Sequence, residues 1–339
     1  MKALVLHKPG DLRYEPDWPE PEPRAGWAVV RVQYAGVCGS DLPRIMVNGT
    51  YRQPLICGHE FMGTVDVPAP GSMRFAAGDL VAVLPLIPCG ACPACRHGEH
   101  FHCRAYDFLG SRSDGGFAEL CAVPESNLLP LPAGIDARAG AFIEPIAVAL
   151  HAVRRAGFRK SGRALVLGAG PIGLLTGMWL RSLGAAEVVL ADIRDPSLEV
   201  AAQCGFECVY HVAENRFREL GDFDYCFEAA GAAAALLQAI DKVRRQGTIT
   251  VVGWEHNPTQ IPQAVFEMFM RKEVSLLGCW GYRIAGEETR VLDALCSDAF
   301  SLPLLITHQV PLGTGGSLIP QVFHGETYAC KVLFDLQES

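Results

Sequence analysis

The sequence has no apolar run long enough to cross a bilayer. Its most hydrophobic stretch, Ala164 to Leu180, is interrupted by four glycines and a proline and is bounded by Arg163 and Arg181, short of the about 20 residues that a spanning helix requires. Excess positive charge is also missing. Twenty-nine Lys and Arg stand against 37 Asp and Glu, a net charge of −8, which excludes broad attraction to nucleic acid or a membrane surface but leaves room for a local pocket that holds one phosphate. At the N-terminus the apolar Met1 to Leu6 is stopped by His7, Lys8, Pro9 and Gly10, too short for the core of an export signal; the expected compartment is the cytoplasm. Charged residues make up only 19% against 50% hydrophobic, a balance that excludes disorder and suits a chain of this length folded as about two domains.

Cysteine, by contrast, is plentiful. Thirteen are present, an odd number, and four crowd between Cys89 and Cys103; without an export signal, that pattern favours reduced thiols and a metal over disulfides. The scattered remainder, such as Cys57, Cys121, Cys204 and Cys226, read as small buried hydrophobes.

Up to about residue 150 the texture is short β-type runs broken by Gly and Pro, among them Ala28 to Tyr34 and Asp79 to Leu84, as in a barrel or sandwich. The proline-rich Glu15 to Pro23 reads as a rigid surface connection. From about residue 161 apolar strands alternate with alanine-rich helices. Strands are expected at Arg163 to Leu167, Glu187 to Ala191, Phe223 to Glu228, Thr248 to Val252 and Val274 to Leu277, and helices at Pro171 to Leu183, Ser197 to Cys204 and Ala232 to Arg244. This is βαβ organisation and predicts one doubly wound sheet. The fold class is therefore α/β plus all-β. A last run, Tyr328 to Phe334, reads as a strand returning to pair elsewhere.

Gly168-Ala169-Gly170-Pro171-Ile172-Gly173 follows a strand and opens a helix, and Asp192 closes the next strand. The first two glycines permit a tight turn and close approach of a pyrophosphate, Gly173 lets helix pack on strand, and Pro171 suits a first turn that needs no amide donor. A carboxylate at Asp192 accepts the adenosine ribose hydroxyls and repels an extra 2′-phosphate, which predicts NAD over NADP. Arg194 is expected to be solvated or to stack on adenine, with contact to a 2′-phosphate as the alternative.

Cys89, Cys92, Cys95 and Cys103 supply four thiolates within fifteen residues, the donor set of a closed structural zinc. The gap of seven before Cys103 and the absence of a following proline argue against an iron–sulfur cluster. His97, His100 and His102 are expected to face solvent. A second, dispersed set comprises Cys38, His59 and Glu144, one thiolate, one imidazole and one carboxylate, a mixed shell with an open position as a catalytic zinc requires.

With these elements in this order, the sequence resembles the zinc-dependent medium-chain alcohol and polyol dehydrogenases along essentially its whole length. The resemblance implies a GroES-like β-barrel catalytic domain over 1–150, a Rossmann NAD-binding domain over 151–290, and a C-terminal return to the catalytic domain over 291–339, with the active site in the cleft. It implies two zinc ions and NAD, with Ser40 passing the alcohol proton outward, Asp41 orienting His59, and Glu60 beside the metal as an alternate ligand or a contact to water or substrate. Assembly as a homodimer or homotetramer is also implied. Phe142 to Ala152, with Glu144 before Pro145, is similar to the sorbitol dehydrogenase branch. Cys38 to Ile45, Tyr106 to Arg112 and Asp114 to Glu119 are similar to a hexitol-phosphate branch that takes galactitol 1-phosphate to tagatose 6-phosphate. On that reading Arg44 and Arg112 are candidate contacts to a phosphorylated substrate. Two departures stand out: Pro43 occupies a place where sorbitol dehydrogenases commonly have histidine, and Ser197 one where a basic residue often follows the ribose-binding aspartate. The competing expectations are a free polyol or an L-threonine-type substrate, and an inactive NAD-binding sensor or scaffold.

Overall fold

In the computed structural model, which describes residues 1–255 and 258–337, the chain forms two compact units. The first comprises Met1–Glu144, Ala285–Ser297 and the chain from Leu305 onward; the second comprises Pro145–Ile284 and Asp298–Leu304.

The first unit is built around the ten-residue strand Trp27–Gly36. Val29, Val30 and Val32 are buried while Arg31 is exposed, a β-branched run suited to a strand covered on both faces. One edge pairs with Glu60–Val67. The other is shared: Trp27 to Arg31 pair with Leu120–Pro124, and Tyr34 to Gly36 with the C-terminal strand Lys331–Asp335. The returning strand expected from Tyr328 to Phe334 thus finds its host in the N-terminal sheet. Leu80–Val83, Leu128–Pro130 and Ile306–Pro311 complete this seven-stranded sheet. The core beneath it joins Leu4, Leu6, Phe61, Phe117 and Phe334.

The second unit holds six parallel strands in the order Cys208–His211, Glu187–Asp192, Arg163–Leu167, Phe223–Glu228, Val243–Val251, Ser275–Gly278. That is the 3-2-1-4-5-6 order of the Rossmann fold, with its switch point beside the first strand. Boundaries moved where the chain bulges. The strand expected from Thr248 begins at Val243, because Arg244 to Gly247 form an irregularity with Gln246 at positive φ; the preceding helix therefore stops at Lys242. The edge strand Cys208–His211, half-buried throughout, lacked the apolar alternation that reveals a strand.

The β texture expected up to about residue 150 gives way a few residues earlier. Ile143–Arg155 is an α-helix, and its first ten residues are almost all buried, so no polar face betrays its 3.6-residue period. Pro145 is tolerated because it lies in the first turn, where an N–H has no intrahelical partner. Among the described residues, no helix is long and apolar enough to cross a membrane.

Candidate active site and metal centres

Cys38 leaves the end of the strand Trp27–Gly36, and His59 and Glu60 open the strand paired with it, so the register Gly36 to Glu60 brings the three together. Their ligand atoms lie within 4.8 Å of one another. Gly36 leaves room for the Glu60 carboxylate: a Cβ there would sit 2.7 Å from the Glu60 Oε2 and push it aside. Asp41, fully buried, organises the cluster. One carboxylate oxygen accepts from the Cys38 N–H at 3.1 Å; the other accepts from Arg44 Nη1 at 2.6 Å and lies 3.2 Å from His59 Nδ1. Ser40 Oγ donates to Cys38 Sγ at 3.4 Å and faces solvent, which suits a group that carries a proton outward. The Phe108 ring packs on the His59 ring at 5.5 Å.

Burial of His59 opposes its protonation, but Asp41 and Cys38 beside it outweigh it and hold the imidazole well above its ordinary pKa. Glu144 is buried at 7% exposure. Desolvation pushes its pKa up to about 7, and Glu60 and Asp41 add to the shift against His59 and Lys331. The compact set of ligand atoms is Cys38, His59 and Glu60; Glu144 of the expected shell lies outside it, although its carboxyl responds electrostatically to His59 and Glu60. The donor set fits a divalent cation: a thiol, an imidazole and one buried carboxylate lie together, with a second buried carboxylate, Glu144, outside the compact set.

Sequence reasoning missed Lys331. Its side chain, 3% exposed, donates to Glu60 Oε2 at 2.5 Å and to the Val37 carbonyl at 3.2 Å. Burial lowers its pKa, but Glu60 and Cys38 raise it further, so the ammonium form is favoured. The signal was available as a lone cation inside the apolar run Ala329 to Phe334.

The four-cysteine lobe is assembled by the short helix Pro93–Arg96 and the turn His100–His102. Sγ separations of 3.4 Å (Cys92 to Cys95) and 3.8 Å (Cys89 to Cys95) approach the about 3.8 Å edge of a tetrahedron with zinc–sulfur bonds of about 2.3 Å. Backbone N–H groups of Ala91 and Cys92 pull the Cys89 thiol down to about 6, favouring the ligating thiolate. His97, His100 and His102 are all exposed, as expected.

In the second unit Gly168 has φ 103°, and a Cβ there would meet Ala230 N at 2.7 Å. Gly170 caps the helix Pro171–Ser182 with open space before it, and Gly173 packs on the Gly168 carbonyl. Ile172 lies in the helix's first turn and its carbonyl accepts from Thr176 Oγ1. The helix N-terminus with this open glycine turn can hold a pyrophosphate. Asp192 Oδ2 accepts from Ala169 N at 2.7 Å and Oδ1 from Arg194 N at 2.9 Å, locking its carboxylate beside the glycine turn. Arg194 Nε lies 3.7 Å from that carboxylate with its side chain 55% exposed. Ser197 is fully buried. A second missed residue is Glu228, at the end of the adjacent strand. Its Oε1 accepts from three successive N–H groups, Ala230 to Ala232, and so shapes the turn facing Gly168.

The loop carrying Tyr106 to Gly115 is pressed onto the His59 segment. Gly110 and Gly115 both lie against the Gly58 carbonyl, where no side chain fits. Arg44 and Arg112 differ: Arg44 is neutralised by buried Asp41, whereas Arg112 is stacked on Tyr51 and Tyr106.

Comparison with known proteins gives two family matches: an Alcohol dehydrogenase GroES-like domain at residues 24–133 and a Zinc-binding dehydrogenase domain at 171–297. The chain is 36% identical to the galactitol 1-phosphate 5-dehydrogenase of Escherichia coli K12 over 291 residues, 83% of this chain and 84% of the relative. It is 30% identical to the sorbitol dehydrogenase of Macaca fascicularis over 326 residues, 91% and 89% of the two chains. The crystal structure of the galactitol-1-phosphate dehydrogenase from Escherichia coli superposes with a TM-score of 0.91 at 32% identity, covering 99% of this chain and all of the other.

Proposed function

Because the chain belongs to the zinc-dependent medium-chain alcohol and polyol dehydrogenases, we propose that its substrate is a phosphorylated hexitol, galactitol 1-phosphate, oxidised with NAD to tagatose 6-phosphate. The enzyme is a zinc-binding, NAD-dependent polyol dehydrogenase; the particular hexitol is the further step. The observation that carries the chemistry is the buried group of Cys38, His59 and Glu60 with Asp41 behind it, and similarity to the galactitol 1-phosphate enzyme supports the substrate.

Oxidation removes a hydride from the carbinol carbon to the nicotinamide and a proton from its hydroxyl. Cys38 and His59, with Glu60 or Glu144 as the carboxylate, would hold a zinc ion, which when bound would supply Lewis-acid polarisation of the alcohol oxygen. Asp41, 3.2 Å from His59 Nδ1, orients the ring, and a carboxylate placed behind a ligating imidazole sets which ring nitrogen carries the proton. Ser40, hydrogen-bonded inward to Cys38 and open to solvent, carries the substrate proton out. Gly168, Gly170, Pro171, Ile172 and Gly173 are proposed to cradle the pyrophosphate and Asp192 to bind the ribose, with Arg194 resting against that carboxylate. Cys89, Cys92, Cys95 and Cys103 hold the structural zinc. Among the described residues no cysteine is joined in a disulfide, which supports the cytoplasm as the compartment.

Self-association is proposed as well. The sheet edge Ser275–Gly278 exposes Leu276, and the neighbouring helix Gln263–Lys272 buries none of its residues while exposing Phe266 and Met270. An exposed apolar edge invites pairing with a second copy.

The test is the rate of NADH formation by zinc-loaded protein with galactitol 1-phosphate, galactitol, sorbitol and L-threonine at equal concentration. A strong preference for the phosphate ester is expected. Preference for a free polyol would move the substrate to the sorbitol-type branch, and turnover of none would favour the inactive NAD-binding alternative.

A further inference from the structure

Two arginines fall in the stretches similar to the hexitol-phosphate branch, and the fold treats them differently. Arg44 is paired with buried Asp41 at 2.6 Å, so its charge is committed to holding His59 in place. Among the described residues Arg112 has no such partner. Its Cζ lies 3.8 Å from the Tyr51 ring centroid and 4.5 Å from that of Tyr106. Among the described residues none of its guanidinium N–H groups donates to a protein acceptor, and the Nε–H is sealed from solvent without a hydrogen bond.

An orphaned, partly buried guanidinium is costly, because each unsatisfied donor forfeits its hydration. The protein nonetheless holds this one firmly. Two tyrosine rings lie against it, and cation–π attraction of this kind keeps it oriented. Arg52 braces the backbone beneath by donating to the Arg112 carbonyl at 3.1 Å, with its own charge met by Asp114. The Arg112 N–H donates to the Phe108 carbonyl at 2.9 Å, and the Phe108 ring rests on His59. A planar, pre-oriented cation with unused donors, tied by one turn of chain to the candidate catalytic histidine, matches the needs of a dianionic phosphate ester.

We propose that Arg112, clamped by Tyr51 and Tyr106, anchors the phosphate group of the substrate, and that Arg44 does not. This rests on the phosphorylated-hexitol reading and adds the residue that selects it. No bond is made or broken at this site. Its effect is on binding, and so on the choice between a phosphate ester and the free hexitol.

The experiment measures kcat/KM of holoenzyme for galactitol 1-phosphate and for galactitol, in wild type, Arg112→Gln, Arg112→Lys and Tyr51→Leu. In Arg112→Gln the ratio of ester to free hexitol is expected to fall about tenfold to a hundredfold, the range for one hydrogen bond to a charged group, with most of the change in KM. Tyr51→Leu, at an exposed ring, and Arg112→Lys, which keeps the charge but not the planar fork, should each lower the ratio by less. Should Arg112→Gln fail to fold, the other two variants decide by the same ratio. An unchanged ratio overturns the anchor while leaving the phosphate substrate standing. A wild-type enzyme that does not prefer the ester overturns the substrate reading and the anchor together.

Discussion

At Lys331 the fold places an ammonium group in the interior with one carboxylate to meet it. Two buried charges 2.5 Å apart gain little net stability over an apolar pair, since both were stripped of water, but removing one leaves the other uncompensated at a cost of about 3–5 kcal/mol. Lys331→Met is therefore expected to destabilise zinc-loaded protein by that amount in urea denaturation, and Lys331→Met with Glu60→Gln to recover most of it. A single substitution as benign as the double one would contradict the pairing. This pair also marks a limit of the sequence. The four-cysteine lobe was legible because thiols at metal-binding spacing are chemically unusual, whereas Cys38 and His59, dispersed in the chain, could be read as a set only alongside the nucleotide-binding pattern. Lys331 and Glu60 lie 271 positions apart, and only the pairing of two distant strands with Trp27–Gly36 makes them neighbours. The same blindness applies to Arg44 and Arg112, alike as letters and distinguished only by what each touches.

Among the elements, the glycine turn and its flanking strand and helix were readable because their periodicity and turn chemistry agree. Ile143–Arg155 was not, since a helix buried on nearly every side has no stripe to read. The loop from Tyr106 to Gly115 was legible only as a motif, and its function in holding His59 follows from packing. A methyl group at position 115 would sit 2.6 Å from the Gly110 Cα and 2.8 Å from the Cys57 carbonyl oxygen. Gly115→Ala is accordingly expected to cost about 1–3 kcal/mol, the range for overpacking, and to lower turnover while NADH affinity, set in the other unit, is preserved. Calorimetric melting together with NADH fluorescence titration reads both. Weakened NADH binding, or unaltered melting and turnover, would show that this loop does not brace the site.

For the whole molecule, the division of labour is sharp: the candidate metal sites lie in the first unit and the glycine turn in the second. The exposed edge at Leu276 predicts that Leu276→Lys shifts the protein toward monomer in sedimentation equilibrium; an unchanged mass would show that this edge is not the contact. The central claim, that one unit carries a closed structural metal and a separate catalytic one, is tested most directly by native mass spectrometry of the purified holoenzyme with parallel turnover assays. Two zinc ions per chain are expected, one for each cysteine-containing cluster. Cys38→Ala should retain one zinc, keep its NADH affinity and lose turnover. A wild-type chain that binds a single zinc, or a Cys38→Ala variant that keeps two ions and full activity, would contradict the account.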